Sequence, residues 1–391
     1  MKKVLFSFII LLVAFSMLLV TPVSAERGWI DVADKEPVKD YAYSFVVIGD
    51  TQVICYNDAT KGTNYMDTLY SWIVENKEAK KIEYVFGLGD ITDQDWTESG
   101  DAEWAVATAS IRKLDGVVPY SMVRGNHDRE YRFNKAFNDE VYKSQFEGFF
   151  NKNSIFDTYR TFSVAGDDYL FITLDHGPSD LKLEWASDII SQYPDHRVII
   201  TTHWYTAKDG LPGDVNDYGN AKPIITNHGE QIYNKLVKKH SNIFMVMSGH
   251  LNSDGIIVEQ RPTPAGNKVT NVLFDTQGMD DLIPVGMISI FYFSKDGKTI
   301  DVECFSTIKN QYYKDEFQFS IDIPKGFRNT VSTTAPSTTV AATTVSDTTT
   351  VATTEKSKGC KSVVSISGVG VVCATVATST ALIKRKERDG N

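Results

Sequence analysis

Cysteine is scarce in this chain of 391 residues, limited to Cys55, Cys304, Cys360 and Cys373. Four thiols this scattered exclude a disulfide framework, so packing must hold the fold together. Basic stripes are also missing outside the last few residues, and the formal net charge is −10. A surface of that kind gives a nucleic-acid backbone nothing to bind, which excludes nucleic acid as a partner. No internal repeat is visible, and no Leu-Pro-x-Thr-Gly signal points to covalent attachment to a cell wall.

Long uncharged runs occur only near the two ends. Met1-Lys2-Lys3 precedes an apolar run from Val4 to Val20, then Thr21-Pro22-Val23-Ser24-Ala25. A charged start, an apolar core and small residues at Val23 and Ala25 predict a secretory signal over residues 1–25, with a retained N-terminal anchor as the alternative. Residues 329–361 are dominated by Thr, Ser, Ala and Val and predict an extended stalk that cannot build a packed core. Ser362 to Ile383 is uncharged and long enough to cross a bilayer, and Lys384-Arg385-Lys386 supplies the positive-inside signal. The expectation is a single-pass anchor over 362–383 with a basic cytoplasmic tail over 384–391, displaying the rest outside the membrane. A tail that never inserts is the alternative. Cys360, just ahead of that span, is a candidate lipid acceptor on position alone.

Residues 26–328 remain, enough for one large α/β domain. Five apolar runs in it end in the same kind of residue. Phe45-Val46-Val47-Ile48 leads to Gly49-Asp50-Thr51-Gln52, and Tyr84-Val85-Phe86-Gly87-Leu88 to Gly89-Asp90-Ile91-Thr92-Asp93. Tyr120-Ser121-Met122-Val123 leads to Gly125-Asn126-His127-Asp128. Val198 to Thr202 delivers His203, and Phe244 to Ser248 delivers Gly249-His250-Leu251-Asn252. Five predicted strands thus place oxygen and imidazole donors just past their carboxyl ends, where open α/β sheets bind ligands. Between them, Met66–Glu78, Asp101–Leu114, Leu181–Ser191 and Glu230–Lys239 carry apolar residues at helical spacing and read as crossover helices. Asp168–Leu174, Val269–Phe274, Met287–Phe293 and Ile300–Phe305 are further strands. Asp128 to Asp157 has no clean period and predicts an elaborate loop or short helices over the site, where specificity would reside.

The ordered set GD-x-Q, GD-x-x-D, GNHD, a lone His after a strand and GH-x-N resembles the calcineurin-like metallophosphoesterases over roughly Tyr43 to Ile323. That resemblance implies a four-layer α/β/β/α sandwich of two mixed sheets, and a metal-dependent hydrolase of phosphate esters. It implies two divalent metal ions, the first held by Asp50, Gln52, Asp90 and Asn252, the second by Asp90, Asn126, His203 and His250. It makes His127 the general acid, with Asp128 as the carboxylate that orients and charges it. Gln52 and Asn252 stand where many members have imidazoles. An amide oxygen is a harder, weaker donor, so the first site should lean toward Mn²⁺ or Mg²⁺ rather than Zn²⁺ or Fe³⁺.

The remaining candidates stay open. Arg124 and Arg129 suit either phosphate contact or structural ion pairing, and Trp204 and Tyr205 either a stacking platform or the core. His176 and His228 could border the cleft, Asp275 and Gln277 could line it, and His196 and His240 read as solvent-exposed. The expected substrates are a phosphorylated small molecule or a surface polymer. The rival is a surface binding protein whose inherited metal site no longer turns over substrate.

Overall fold

The computed structural model describes residues 28–218, 226–251, 255–277 and 286–324. The signal peptide, stalk, membrane span and basic tail expected from sequence lie outside the described residues, as do Asn252, Cys360 and Cys373. Among the described residues, no helix is long and apolar enough to cross a membrane.

Strand β2 (Tyr41–Ile48) shows how the sequence makes layers. Val46 and Ile48 enter one hydrophobic cluster, Tyr43, Phe45 and Val47 another, because successive side chains of a strand point to opposite faces. A strand buried on both faces belongs in the middle of a layered stack. Its sheet runs β1 (Trp29–Asp31), β14 (Gln311–Tyr313), β13 (Thr299–Ser306), β12 (Met287–Ser294), β2, β3 (Ile82–Gly87), β4 (Tyr120–Met122). Strand β15 (Gln318–Asp322) also pairs with β13. Strands β2, β3 and β4 are parallel, and β12 is antiparallel to β2. Helices α1 (Gln52–Lys61) and α2 (Tyr65–Asn76) make the first crossover and α3 (Gly100–Ile111) the second.

The second sheet runs β10 (Gly255–Pro262), β11 (Lys268–Asp275), β9 (Ile243–Ser248), β8 (Arg197–Thr201), β7 (Asp167–Thr173), β6 (Thr158–Val164), β5 (Gly148–Phe149). Its centre, β7, β8, β9 and β11, is parallel, with α6 (Asp180–Gln192) and α7 (Gly229–Lys235) as crossovers. Three clusters glue the layers. Helical Ile54, Leu69, Trp104 and Ile111 pack on Val46, Val85 and Ile290 of the first sheet. Phe45, Tyr84 and Phe86 meet Tyr169, Phe171 and Met245 between the sheets, and Leu183, Ile190 and Ile232 cover the far face of the second. The fold is the expected four-layer α/β/β/α sandwich.

One segment departs from the expectation, and the segment after Asp128 takes the short-helix form of it. Helix α1 was not anticipated, because its buried residues include Gln52, Asn57 and Asp58 rather than an apolar stripe. Asp58 belongs to the next helix as well: its carboxylate accepts the N–H groups of Tyr65 at 2.8 Å and Met66 at 2.7 Å, satisfying orphan donors where α2 begins. The segment after Asp128 folds into two short helices, α4 (Glu130–Phe137) and α5 (Glu140–Lys143), and its Phe133, Phe137, Tyr142 and Phe156 are buried in the core. Cys55 and Cys304 are buried free thiols, and burial pushes the Cys55 thiol well up, so it is no nucleophile.

Phe45 is fully buried where the two sheets meet, with ring centroids of Phe293 at 5.0 Å, Tyr169 at 5.5 Å and Phe86 at 5.8 Å. Phe45→Ala should cost ~3–5 kcal/mol in denaturant unfolding. A loss below about 1 kcal/mol would show that the inter-sheet layer collapses around the hole.

Candidate metal centre

Each proposed ligand sits just past a strand that ends at the same edge. Asp50 follows β2, Asp90 follows β3, Asn126 and His127 follow β4, His203 follows β8 and His250 follows β9. Close approach of these exits is built into two glycines. A Cβ on Gly125 would overlap the Asp90 carboxylate, and one on Gly249 would overlap that of Asp50. Asp90 and His250 themselves adopt left-handed backbone, with φ of 46° and 73°. Such strain in non-glycine residues persists only where surrounding structure holds it, and it gathers at functional sites.

His203 organises the donors. Its Nδ1–H donates to the Leu88 carbonyl at 2.8 Å, which leaves Nε2 to face the site. Around Nε2 lie Asn126 Oδ1 at 3.1 Å, Asp90 Oδ2 at 3.2 Å and His250 Nδ1 at 3.2 Å. Lone pairs aimed at one point are a cation cradle, and ligand atoms of Asp90, His203 and His250 all lie within 4.8 Å of one another. Asp50 joins them through the His250 N–H, 3.2 Å from both of its carboxylate oxygens. Gln52, the first residue of α1, is buried with its Oε1 atom lacking any hydrogen-bond partner. A buried amide oxygen without a donor is costly, and a cation would satisfy it. The residues present therefore fit a bound metal pair.

Electrostatics point the same way. Burial and the charges of Asp275 and Asp90 raise the Asp50 carboxyl well above the ordinary range. Burial would raise Asp90 too, but the His203 imidazole outweighs it and holds Asp90 below the usual carboxylate value. Burial works against a proton on His203 and is overcome by Asp90, whereas burial and His203 together push His250 down to about 3. Crowded, buried carboxylates of like charge are stabilised by positive charge placed between them.

A profile of the calcineurin-like phosphoesterase family matches residues 43–253, more than half of the 391 residues. The chain belongs to the calcineurin-like phosphoesterase family. Family membership implies a dimetal site and metal-dependent hydrolysis of phosphate esters as the family's chemistry. The chain is 29% identical over 315 residues to a Bacillus subtilis (strain 168) protein named Uncharacterized protein YvnB, a match covering 75% of this chain. It spans only 23% of that relative's length. Among solved structures it is similar to a dimetal phosphatase from Danio rerio, at 12% identity and a TM-score of 0.45, covering 73% of this chain and 99% of that one. It is also similar to the purple acid phosphatase PPD1 of yellow lupin, at 14% identity and a TM-score of 0.43, covering 72% and 53%.

At this candidate site, Asp128 corrects the expectation. It does not orient His127. Its carboxylate is fully buried and accepts from the N–H groups of Ile91 at 3.1 Å, Thr92 at 3.0 Å and Gly125 at 3.0 Å, and from the Thr92 hydroxyl at 3.0 Å. Neighbours in sequence here point apart, and Asp128 clamps the β3 exit to the β4 exit. His127 is held from the other side: its N–H donates to Asp90 Oδ1 at 2.8 Å and its Nδ1 lies 2.8 Å from the Asp93 carbonyl, with Asp93 Oδ1 at 3.6 Å. The partner of His127 is therefore Asp93. Burial and Asp90 raise Asp128 to about 6, against the N–H groups of Gly125, Thr92 and Ile91, which favour its charged form.

The open candidates resolve as follows. Arg124 pairs with Asp175 at 2.8 Å, a structural ion pair, and Arg129 gives its backbone N–H to Asp95. Trp204 and Tyr205 are core, though the Trp204 ring lies 5.8 Å from that of His250. Buried Asp275 sits close enough to perturb Asp50 and is held by Gln277 at 3.1 Å, so it lines the site. His228 caps α7, and His240 bonds Ser187 at 2.8 Å. His176 does border the cleft, its ring 5.3 Å from that of His203 and 5.7 Å from that of His250. The signal for it was its place at the exit of β7, a strand of the same parallel set.

Asp128→Ala would strand four buried donors and should cost ~3–5 kcal/mol in thermal or denaturant unfolding, while the activity that remains keeps the parent's pH profile. A variant that melts like the parent but has a displaced alkaline limb, where a general acid loses its proton, would return Asp128 to the role of orienting His127.

Proposed function

We propose that this chain is an extracellular, membrane-anchored hydrolase of phosphate esters that uses two divalent cations and His127 as its general acid. The observation that carries the reading is the convergence of Asp90, Asn126 and His250 donors on His203 Nε2. Asp50, Gln52, Asp90 and Asn252 would hold one cation, and Asp90, Asn126, His203 and His250 the other. Bound there, the cations would supply an acidified water and positive charge for the phosphoryl oxygens. The first set has amides in place of imidazoles, which matches Mn²⁺ or Mg²⁺ better than Zn²⁺ or iron.

The chain's own groups do the rest. Asp90 spans both sets and orients His127 through its backbone N–H. With Nδ1 engaged by Asp93, His127 presents Nε2 to hand a proton to the leaving oxygen. The secretory signal and the anchor expected at the two ends support an extracellular setting, and so a phosphorylated small molecule or surface polymer as substrate.

The full-length protein loaded with Mn²⁺ should hydrolyse aryl or bis-aryl phosphates, and chelation or Asp90→Asn should abolish this. His127→Ala should slow esters with alkyl leaving groups by ~10²–10⁴-fold and nitrophenyl esters far less. Equal losses on both would remove His127 from its role. Ligand binding without turnover under any metal would favour a binding protein instead. Calorimetric titration should show one tight and one weaker site, and two equally tight Zn²⁺ ions would contradict the ligand assignment.

A further inference from the structure

Three aromatic side chains are exposed among the described residues: Trp96 at 48%, Tyr131 at 56% and Phe150 at 37%. Trp96 stands out for its neighbour. Its ring lies 5.1 Å from that of His127, in the loop that follows Asp90 and holds the His127 Nδ1 through Asp93. A single exposed indole is ordinary by itself, and it is the contact with His127 that gives this ring a face toward the site.

The loop beneath the ring is pinned on both sides. Before Trp96, the carboxylate of Glu103, itself fully buried, accepts the N–H of Asp93 at 2.6 Å and of Gln94 at 3.2 Å. Fully buried Asp95 accepts the N–H of Arg129 and pairs with the Arg132 guanidinium at 2.6 Å. After Trp96, the Thr97 N–H returns to the Gln94 carbonyl at 2.8 Å. Two buried carboxylates thus fix a backbone whose one large apolar side chain stays in solvent. That arrangement preorganises a contact surface rather than completing a core. Arg132 also lies over Tyr131, 5.3 Å from its ring centroid, so a second exposed aromatic stands at the same corner of the molecule.

We infer that Trp96 is the leaving-group platform of this site, a stacking surface that selects phosphoesters whose leaving group carries a planar aromatic ring. The inference rests on the reading of His127 as general acid. The phosphoryl group belongs with the metal ligands, and the leaving oxygen with His127, so whatever covers the ring beside His127 is the departing group. Nucleosides and simple aryl alcohols share the flat face that an indole stacks on. The substrate class is set by that face rather than by a charge.

The test uses the full-length, Mn²⁺-loaded protein with naphthyl phosphate, a nucleoside monophosphate and glycerol phosphate. Trp96→Ala should raise KM for the aromatic esters about ten-fold or more and leave glycerol phosphate within about two-fold, with Trp96→Phe restoring most of the loss. A rise confined to naphthyl phosphate, or to the nucleotide, supports the platform and tells which ring it takes. Equal KM shifts on all three esters would overturn it. So would a kcat loss confined to glycerol phosphate, since that is the signature of a residue that merely positions His127. If the parent turns over none of the esters, the phosphoesterase reading fails, yet the platform is still decided by tryptophan emission. Quenching by naphthyl phosphate but not glycerol phosphate, lost in Trp96→Ala, supports it, and identical titrations of parent and variant overturn it.

Discussion

The hydrogen bond from His203 Nδ1 to the Leu88 carbonyl, 2.8 Å long, joins the exits of two different sheets, and the metal centre depends on it. Leu88 extends the pairing of β3 with β2 through its own N–H on Ile48, so its carbonyl is fixed by the first sheet. His203 is fixed by the second. The bond sets the imidazole tautomer and turns Nε2 toward Asp90, Asn126 and His250. None of this survives unless the sheets pack face to face, which is the task of the aromatic layer around Phe45, Tyr84 and Phe171.

An acidic chain uses its carboxylates here in two distinct ways. Asp50 and Asp90 face the cation cradle, Asp50 pushed up by burial and neighbouring carboxylates and Asp90 held down, against burial, by the His203 imidazole. Asp95, Glu103 and Asp128 face away from it, and each gathers loop N–H groups that would otherwise be buried without partners. Left-handed backbone at Asp90 is followed directly by the Ile91 and Thr92 N–H groups that Asp128 holds, and that at His250 is held by its own N–H on Asp50. Rigid loops carrying a strained site are what preorganised catalysis requires. They are also what lets an exposed ring such as Trp96 hold a fixed position.

Much of this was legible before any coordinates. The unbroken apolar run Phe45 to Ile48, helical spacing in Met66 to Glu78, and polar residues after each apolar run are local patterns, and local patterns survive folding because they belong to single strands and helices. Helix α1 escaped notice because it buries Gln52, Asn57 and Asp58, leaving no apolar stripe to read. Asp128 was misassigned through adjacency. A residue next to His127 in the chain is turned to the opposite side of the loop, while Asp93, thirty-odd positions earlier, supplies the partner.

By itself the sequence determined which apolar runs are strands and which polar residues stand just past their ends, since each of these depends on residues within one element or its immediate exit, while the four-layer stacking came from the resemblance those motifs carry. Only the tertiary structure decided which carboxylate serves the imidazole, that His176 joins His203 and His250, and that the indole of Trp96 lies beside His127. Those facts join residues of separate elements, and their distances are set by how sheets and loops pack, which no local spacing encodes.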